Sequence, residues 1–138
     1  MKRVAQVLAL STLMVGAGGV AQAQSWGTLQ SSISYSYGQY YNYGYTYARN
    51  GGQHKKISTN ANKVYVRTTT DFYNGSSYKG TRSSDSAGTT SRTYTPHESN
   101  VPLWLGANVA QGKINNCEDR SFQPDPCSDA QAIPHFGY

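Results

Sequence analysis

Residues 33–48 read Ile-Ser-Tyr-Ser-Tyr-Gly-Gln-Tyr-Tyr-Asn-Tyr-Gly-Tyr-Thr-Tyr-Ala. Tyr35, Tyr37, Tyr41, Tyr43, Tyr45 and Tyr47 all stand at odd positions, with Ser34, Ser36, Asn42, Gly44 and Thr46 between them. A period of two over this length marks a strand, because successive side chains leave opposite faces of a sheet. One strand from Ile33 to Ala48 would run about 50 Å, well beyond the usual ~20 Å. A turn is therefore expected near Gly38-Gln39-Tyr40. A three-residue loop there pairs Tyr37 with Tyr41 and Tyr35 with Tyr43, keeping the rings on one face. The plain reading of the stripe is core, with rings packed against a small sheet and hydroxyls at its edge. Two other readings stand beside it. The six tyrosines form an exposed platform for sugar rings or another flat ligand, or the uncharged, proline-free segment self-associates as cross-β.

The rest of the composition supports a core built on rings. Residues 25–138 contain 14 Leu, Ile, Val and Phe, about 12%, below the rough 20% floor of ordinary globular chains. All 12 Tyr and both Trp also lie there, doubling the core-forming set to 28. Ten Lys and Arg against seven Asp and Glu give this part +3, compared with +5 for all 138 residues. Low charge separates the chain from highly charged disordered sequences. The composition argues against a helical bundle, a membrane protein and a doubly wound nucleotide enzyme. The length suits one domain.

The amino terminus has the pattern of an address. Met1-Lys2-Arg3 is a short basic start, Val4 to Val15 is apolar, and Ala21-Gln22-Ala23 matches the small-x-small pattern of a signal peptidase site. Residues 1–23 are thus expected to be a signal peptide of bacterial type, cut before Gln24, which makes the protein secreted. The apolar core is too short to span ~30 Å of hydrocarbon, and no later segment is apolar enough, so no transmembrane segment is expected after cleavage.

Beyond the leader the charges segregate. Residues 25–48 carry none; 49–92 hold eight Lys and Arg against Asp71 and Asp85; 93–138 hold Lys113 and Arg120 against five acids and contain all five prolines. Lys63 to Tyr73 alternates β-branched and aromatic residues and reads as a strand. Asn74-Gly75 supplies a tight turn, Ser76 to Ser83 a return strand, Asp85 to Gly88 another turn, and Thr89 to Thr95 a third strand of a meander ending at Pro96. Leu103, Trp104 and Leu105 are expected to pack on the sheet. Lys55, Lys56, Lys63 and Arg67 form a candidate basic patch. Its plain reading is a solvated strand edge guarded by lysine, and its functional reading is attraction to anionic wall polymers or lipid head groups. Nucleic acid is disfavoured, because the charges fall on both strand faces and no binding motif accompanies them.

Cys117 and Cys127 are the only cysteines, and in an exported chain they are expected to form a disulfide stapling an acidic, proline-rich tail. The C-x9-C spacing is not that of a zinc site. Glu118, Asp119, Asp125 and Asp129 lack the alternate spacing and glycine of a calcium loop. No metal and no cofactor is expected. His54, His97 and His135 are the only histidines, each expected at the surface or in a turn. His97-Glu98 are neighbours that a strand would point to opposite faces, and residues 97–101 lack the second histidine of a zinc protease. No Gly-x-Ser-x-Gly elbow occurs. No catalytic residue is assigned.

Trp26-Gly27 near the expected cleavage point, the Tyr/Ser/Gly run and His54 ahead of β-rich sequence resemble the small β-sandwich bacteriocins of the lactococcin type over about 40 residues. The disulfide-bearing tail is not a feature we associate with that family, and no functional residue is carried across.

The sequence therefore predicts an all-β protein, a small antiparallel sheet or sandwich built from hairpins with an irregular disulfide-stapled C-terminal tail. Residues 24–100 form the tyrosine-rich domain, and 101–138 pack on it or trail it. The expected function is non-catalytic binding, with a cell-wall polymer, polysaccharide or envelope component as partner. A bacteriocin-like antibacterial or toxin protein stands second, a self-assembling surface protein third and a small secreted hydrolase fourth.

Overall fold

Eight strands and no helix make up the described part of the computed structural model, residues 23–138. The signal-peptide expectation falls on residues 1–22, outside that range, and reaches it only at the cleavage point. In chain order the strands are β1 Gln24–Gln30, β2 Ser34–Tyr43, β3 Tyr47–Lys56, β4 Val64–Asn74, β5 Ser77–Asp85, β6 Thr95–Pro102, β7 Val109–Glu118 and β8 His135–Gly137. They form two four-stranded antiparallel sheets, ordered β1-β2-β3-β6 and β5-β4-β7-β8. The fold is an antiparallel β-sandwich, and Cys117 and Cys127 are joined near its C-terminus.

The tyrosine hairpin exists, with its turn six residues later than the repeat suggested. β2 runs unbroken through Gly38-Gln39-Tyr40, and the chain reverses at Gly44-Tyr45-Thr46, where Gly44 and Tyr45 both take positive φ. Tyr43 therefore faces Tyr47, while Tyr41 faces Arg49, Tyr37 faces Gln53 and Tyr35 faces Lys55. Two residues able to enter the left-handed region decide the site of reversal; Gly38 is used differently. It lies opposite Gly52, and a Cβ on either would overlap backbone of the neighbouring strand. These glycines let the strands approach closely inside the ladder.

The parity of the stripe holds, but its direction is reversed from the core reading. Ser34, Ser36, Tyr40 and Asn42 are buried against the second sheet, whereas Tyr35, Tyr37 and Tyr41 are only half-buried and Tyr43 is exposed. Tyr40, the even-numbered ring in the run, is the one that enters the core. It packs with Phe136 and meets Gly112 from the facing sheet, and its hydroxyl bonds Thr70 at 2.8 Å. Phe72, Ala48, Val101 and Ala110 complete this apolar end, with Leu103 and Trp104 against it.

The other end of the interior is polar. Ser36 donates to Asn116 at 2.5 Å, Asn50 donates to Thr68 at 2.9 Å, and Thr68 shares a 2.8 Å bond with Ser99. The buried side chains of Ser36, Asn50, Thr68, Ser99 and Asn116 are tolerated because each finds a partner across the gap. This is how a sandwich forms with so little aliphatic filling.

Two further expectations are corrected. The segment Thr89 to Thr95 does not close a meander: the chain crosses to the first sheet, where β6 starts at Thr95 and pairs with β3. Pro96 and Pro102 lie within this edge strand, which can leave a missing N–H on its unpaired side. Leu105 is almost wholly exposed on the loop after β6, because Leu103 and Trp104 already occupy the space over the core. β6 runs on to Pro102, and residues 103–138 supply β7, a central strand of the second sheet, with β8 beside it.

Candidate functional site

The outer face of the first sheet collects what its inner face excludes. Odd positions of β2 and β3 point there, so Tyr35, Tyr37, Tyr41, Tyr43 and Tyr47 share a surface with Arg49, Gln53 and Lys55. Tyr45 is not on this face. It occupies the turn tip, with its backbone N–H bonded to the Asn42 side chain.

Two clusters organise the surface. Tyr37 meets Tyr94 edge-on, ring centroids 5.2 Å apart, and the Lys55 ammonium lies 4.7 Å from the Tyr94 ring centre and 5.6 Å from that of Tyr35. Towards the hairpin turn, Tyr41 and Tyr43 stand 6.5 Å apart, and the Arg49 guanidinium is stacked 3.3 Å above Tyr43. Arg49 is held by Asn100 at 2.8 Å and Glu98 at 3.4 Å. Cation–ring contacts and cross-strand bonds fix the rings in place.

Between the clusters lies a groove of about 170 Å³, lined by Ser25, Tyr37, Gly38, Gln39, Gly51, Gly52 and Gln53. Gly51 sits opposite Gln39 and opens the floor by having no side chain. Gln39 is buried, and its Nε2 has no hydrogen-bond partner.

The candidate basic patch is not one surface. Lys55 belongs to the aromatic face. Lys56 is buried on the other side of β3, where its ammonium donates to the backbone carbonyls of Asn60 and Asn62. Lys63 is exposed just before β4, and Arg67 lies on the second sheet, paired with Asp85 at 2.9 Å. Adjacent strand residues point oppositely, which separates Lys55 from Lys56.

Two of the three histidines are also displaced from expectation. His54 and His97 are buried with ring centroids 5.3 Å apart, because their even and odd parities both face the second sheet from neighbouring strands. His135 is exposed in β8. Near the tail, Glu118 accepts from Asn60 and Asn62 at 3.0 Å each and from Arg120 at 2.9 Å. Burial pushes this carboxyl up, but those donors outweigh burial and hold it at about 2. Among the described residues no three His, Cys, Asp or Glu side chains gather into a group able to hold a metal ion.

Sequence reasoning missed Gln39, Gly51, Gln53 and Tyr94. Glycines inside a strand-like stretch were the available signal, since they mark a close approach or an open surface. No protein-family model, curated protein or solved structure matches the chain.

Proposed function

We propose that this chain is an exported, non-catalytic binding protein whose first sheet docks on a polysaccharide or another envelope polymer through its outer aromatic face. The observation that carries this reading is the outward direction of the tyrosine stripe. Five rings that would have filled a core are held at the surface, braced by Arg49 and Lys55. Rings fixed this way offer flat apolar area at little cost in side-chain entropy, and their hydroxyls add polar contacts for a hydrated ligand. The groove contributes no carboxylate and no histidine, which favours holding a ligand over acid–base chemistry. Export is supported by the disulfide and by a cleavage point directly before β1, so that removing the leader leaves every described strand intact.

The test is retention on insoluble polysaccharides and on isolated cell walls. Retention on at least one, reduced by substitution on the aromatic face of the first sheet, is the expected result. Absence of retention on all of them overturns the reading.

A further inference from the structure

The groove between the two tyrosine clusters deepens that reading and rests on it. We propose that it is a subsite for one sugar ring bearing an acetamido group. At about 30 Å³ per water, 170 Å³ holds about six waters, the scale of one ring and its substituent. The groove thus selects a single residue of a chain whose neighbours lie over Tyr37 on one side and Tyr41 on the other.

None of the lining residues is ionised, and a carboxylate or phosphate moved there from water would lose hydration without gaining a cation. Lys55 and Arg49 are already engaged with rings at the flanks. A neutral group is favoured.

Gln39 is only 6% exposed and its Nε2 is unpartnered, a state that is costly in a folded protein. The last torsion of a glutamine is soft, so its amide turns towards the groove without backbone movement. A carbonyl oxygen is the acceptor this donor lacks. An acetamido group brings that oxygen together with a methyl, which the apolar wall at Tyr37 covers. A plain hydroxyl brings only the first of the two.

The experiment is isothermal titration of the protein with soluble β-1,4-linked hexamers of N-acetylglucosamine and of glucose. The expected result is at least tenfold tighter binding of the acetamido hexamer. Gly51→Ala places a methyl on the groove floor where the nearest atom outside its chain neighbours, the His97 carbonyl oxygen, is 3.8 Å away. It lowers that affinity at least fivefold while the fold is kept. Gln39→Met removes the donor at similar volume and erases the preference without lowering Tm. Equal affinity for both hexamers, a preference for glucose, an undiminished affinity in Gly51→Ala, or a preference that survives Gln39→Met overturns the subsite and leaves the platform standing. Retention on insoluble polysaccharide with binding of neither hexamer does the same. Failure to bind either hexamer or any polysaccharide overturns the platform itself.

Discussion

His97 places its Nε2 3.2 Å from the backbone carbonyl oxygen of Tyr37, so a buried imidazole on the inner face is tied to the strand that carries the outer rings. A carbonyl only accepts, which makes Nε2 the donor and leaves Nδ1 as the bare nitrogen. That nitrogen has no partner, and neither does Nδ1 of His54.

This pair is expected to make the fold acid-sensitive. Burial, then the neighbouring His54, push His97 down from 6.5 to about 4, with the Tyr37 carbonyl opposing them. A histidine depressed in the fold takes up its proton more readily when unfolded, so stability falls as pH drops through 6.5 and levels off below about 4. That interval corresponds to about 3 kcal/mol. Urea unfolding at a series of pH values should show the loss between pH 7 and 4, and His97→Gln should flatten it. An equally steep profile in the variant would assign the loss to other groups.

Gly51 and Gly52 are adjacent but should respond in opposite ways to the same methyl group. A Cβ at Gly52 overlaps the Tyr37 carbonyl oxygen, whereas one at Gly51 meets nothing closer than 3.8 Å. Gly52→Ala is expected to cost about 3 kcal/mol through backbone displacement. Gly51→Ala should be neutral or stabilising, since it reduces the freedom of the unfolded chain. Thermal melts of the two variants check the contrast.

Tyr43 and Tyr45 offer a second contrast, this time in binding. Tyr41→Ala and Tyr43→Ala each remove a ring from the outer face and should weaken retention on a bound polysaccharide about fivefold, near 1 kcal/mol per ring. Tyr45 holds φ at 54° on the turn tip, a conformation that suits glycine. Tyr45→Gly should raise Tm slightly and leave retention unchanged. Loss of retention in the glycine variant would move the binding surface to the hairpin end.

The disulfide should matter most to the irregular segment after β7. Cys117 and Cys127 are 10 residues apart, and closing such a loop contributes about 2.5 kcal/mol. Reduction is expected to lower Tm and to speed amide exchange in residues 119–134, with the β2–β3 ladder still protected. Uniform deprotection would show instead that the bond supports the whole sandwich.

Strand character was legible wherever it depends on residues close in sequence. The alternation in 64–73 was read correctly because β-branched content acts locally, while the reversal expected at Asn74-Gly75 falls one residue later, at Gly75-Ser76, where Gly75 alone takes positive φ. β7 was not anticipated. Its inward set of Ala110, Gly112, Ile114 and Asn116 holds a single large apolar side chain, and the Tyr40 ring from the facing sheet fills the room over Gly112. The site was half legible: five of the six candidate tyrosines share the outer face, while the groove between them depends on two strands brought side by side.

By itself the sequence determined that odd and even residues of 34–43 part to opposite faces, since that follows from strand geometry alone. Which set lies inside was decided by the second sheet. Asn116, Thr68 and Thr70 supply the hydrogen bonds that let Ser36, Asn50 and Tyr40 be buried, and those partners are 18 to 80 residues away along the chain. A repeat within one strand carries no information about them, so only the assembled sandwich could turn the tyrosines outward.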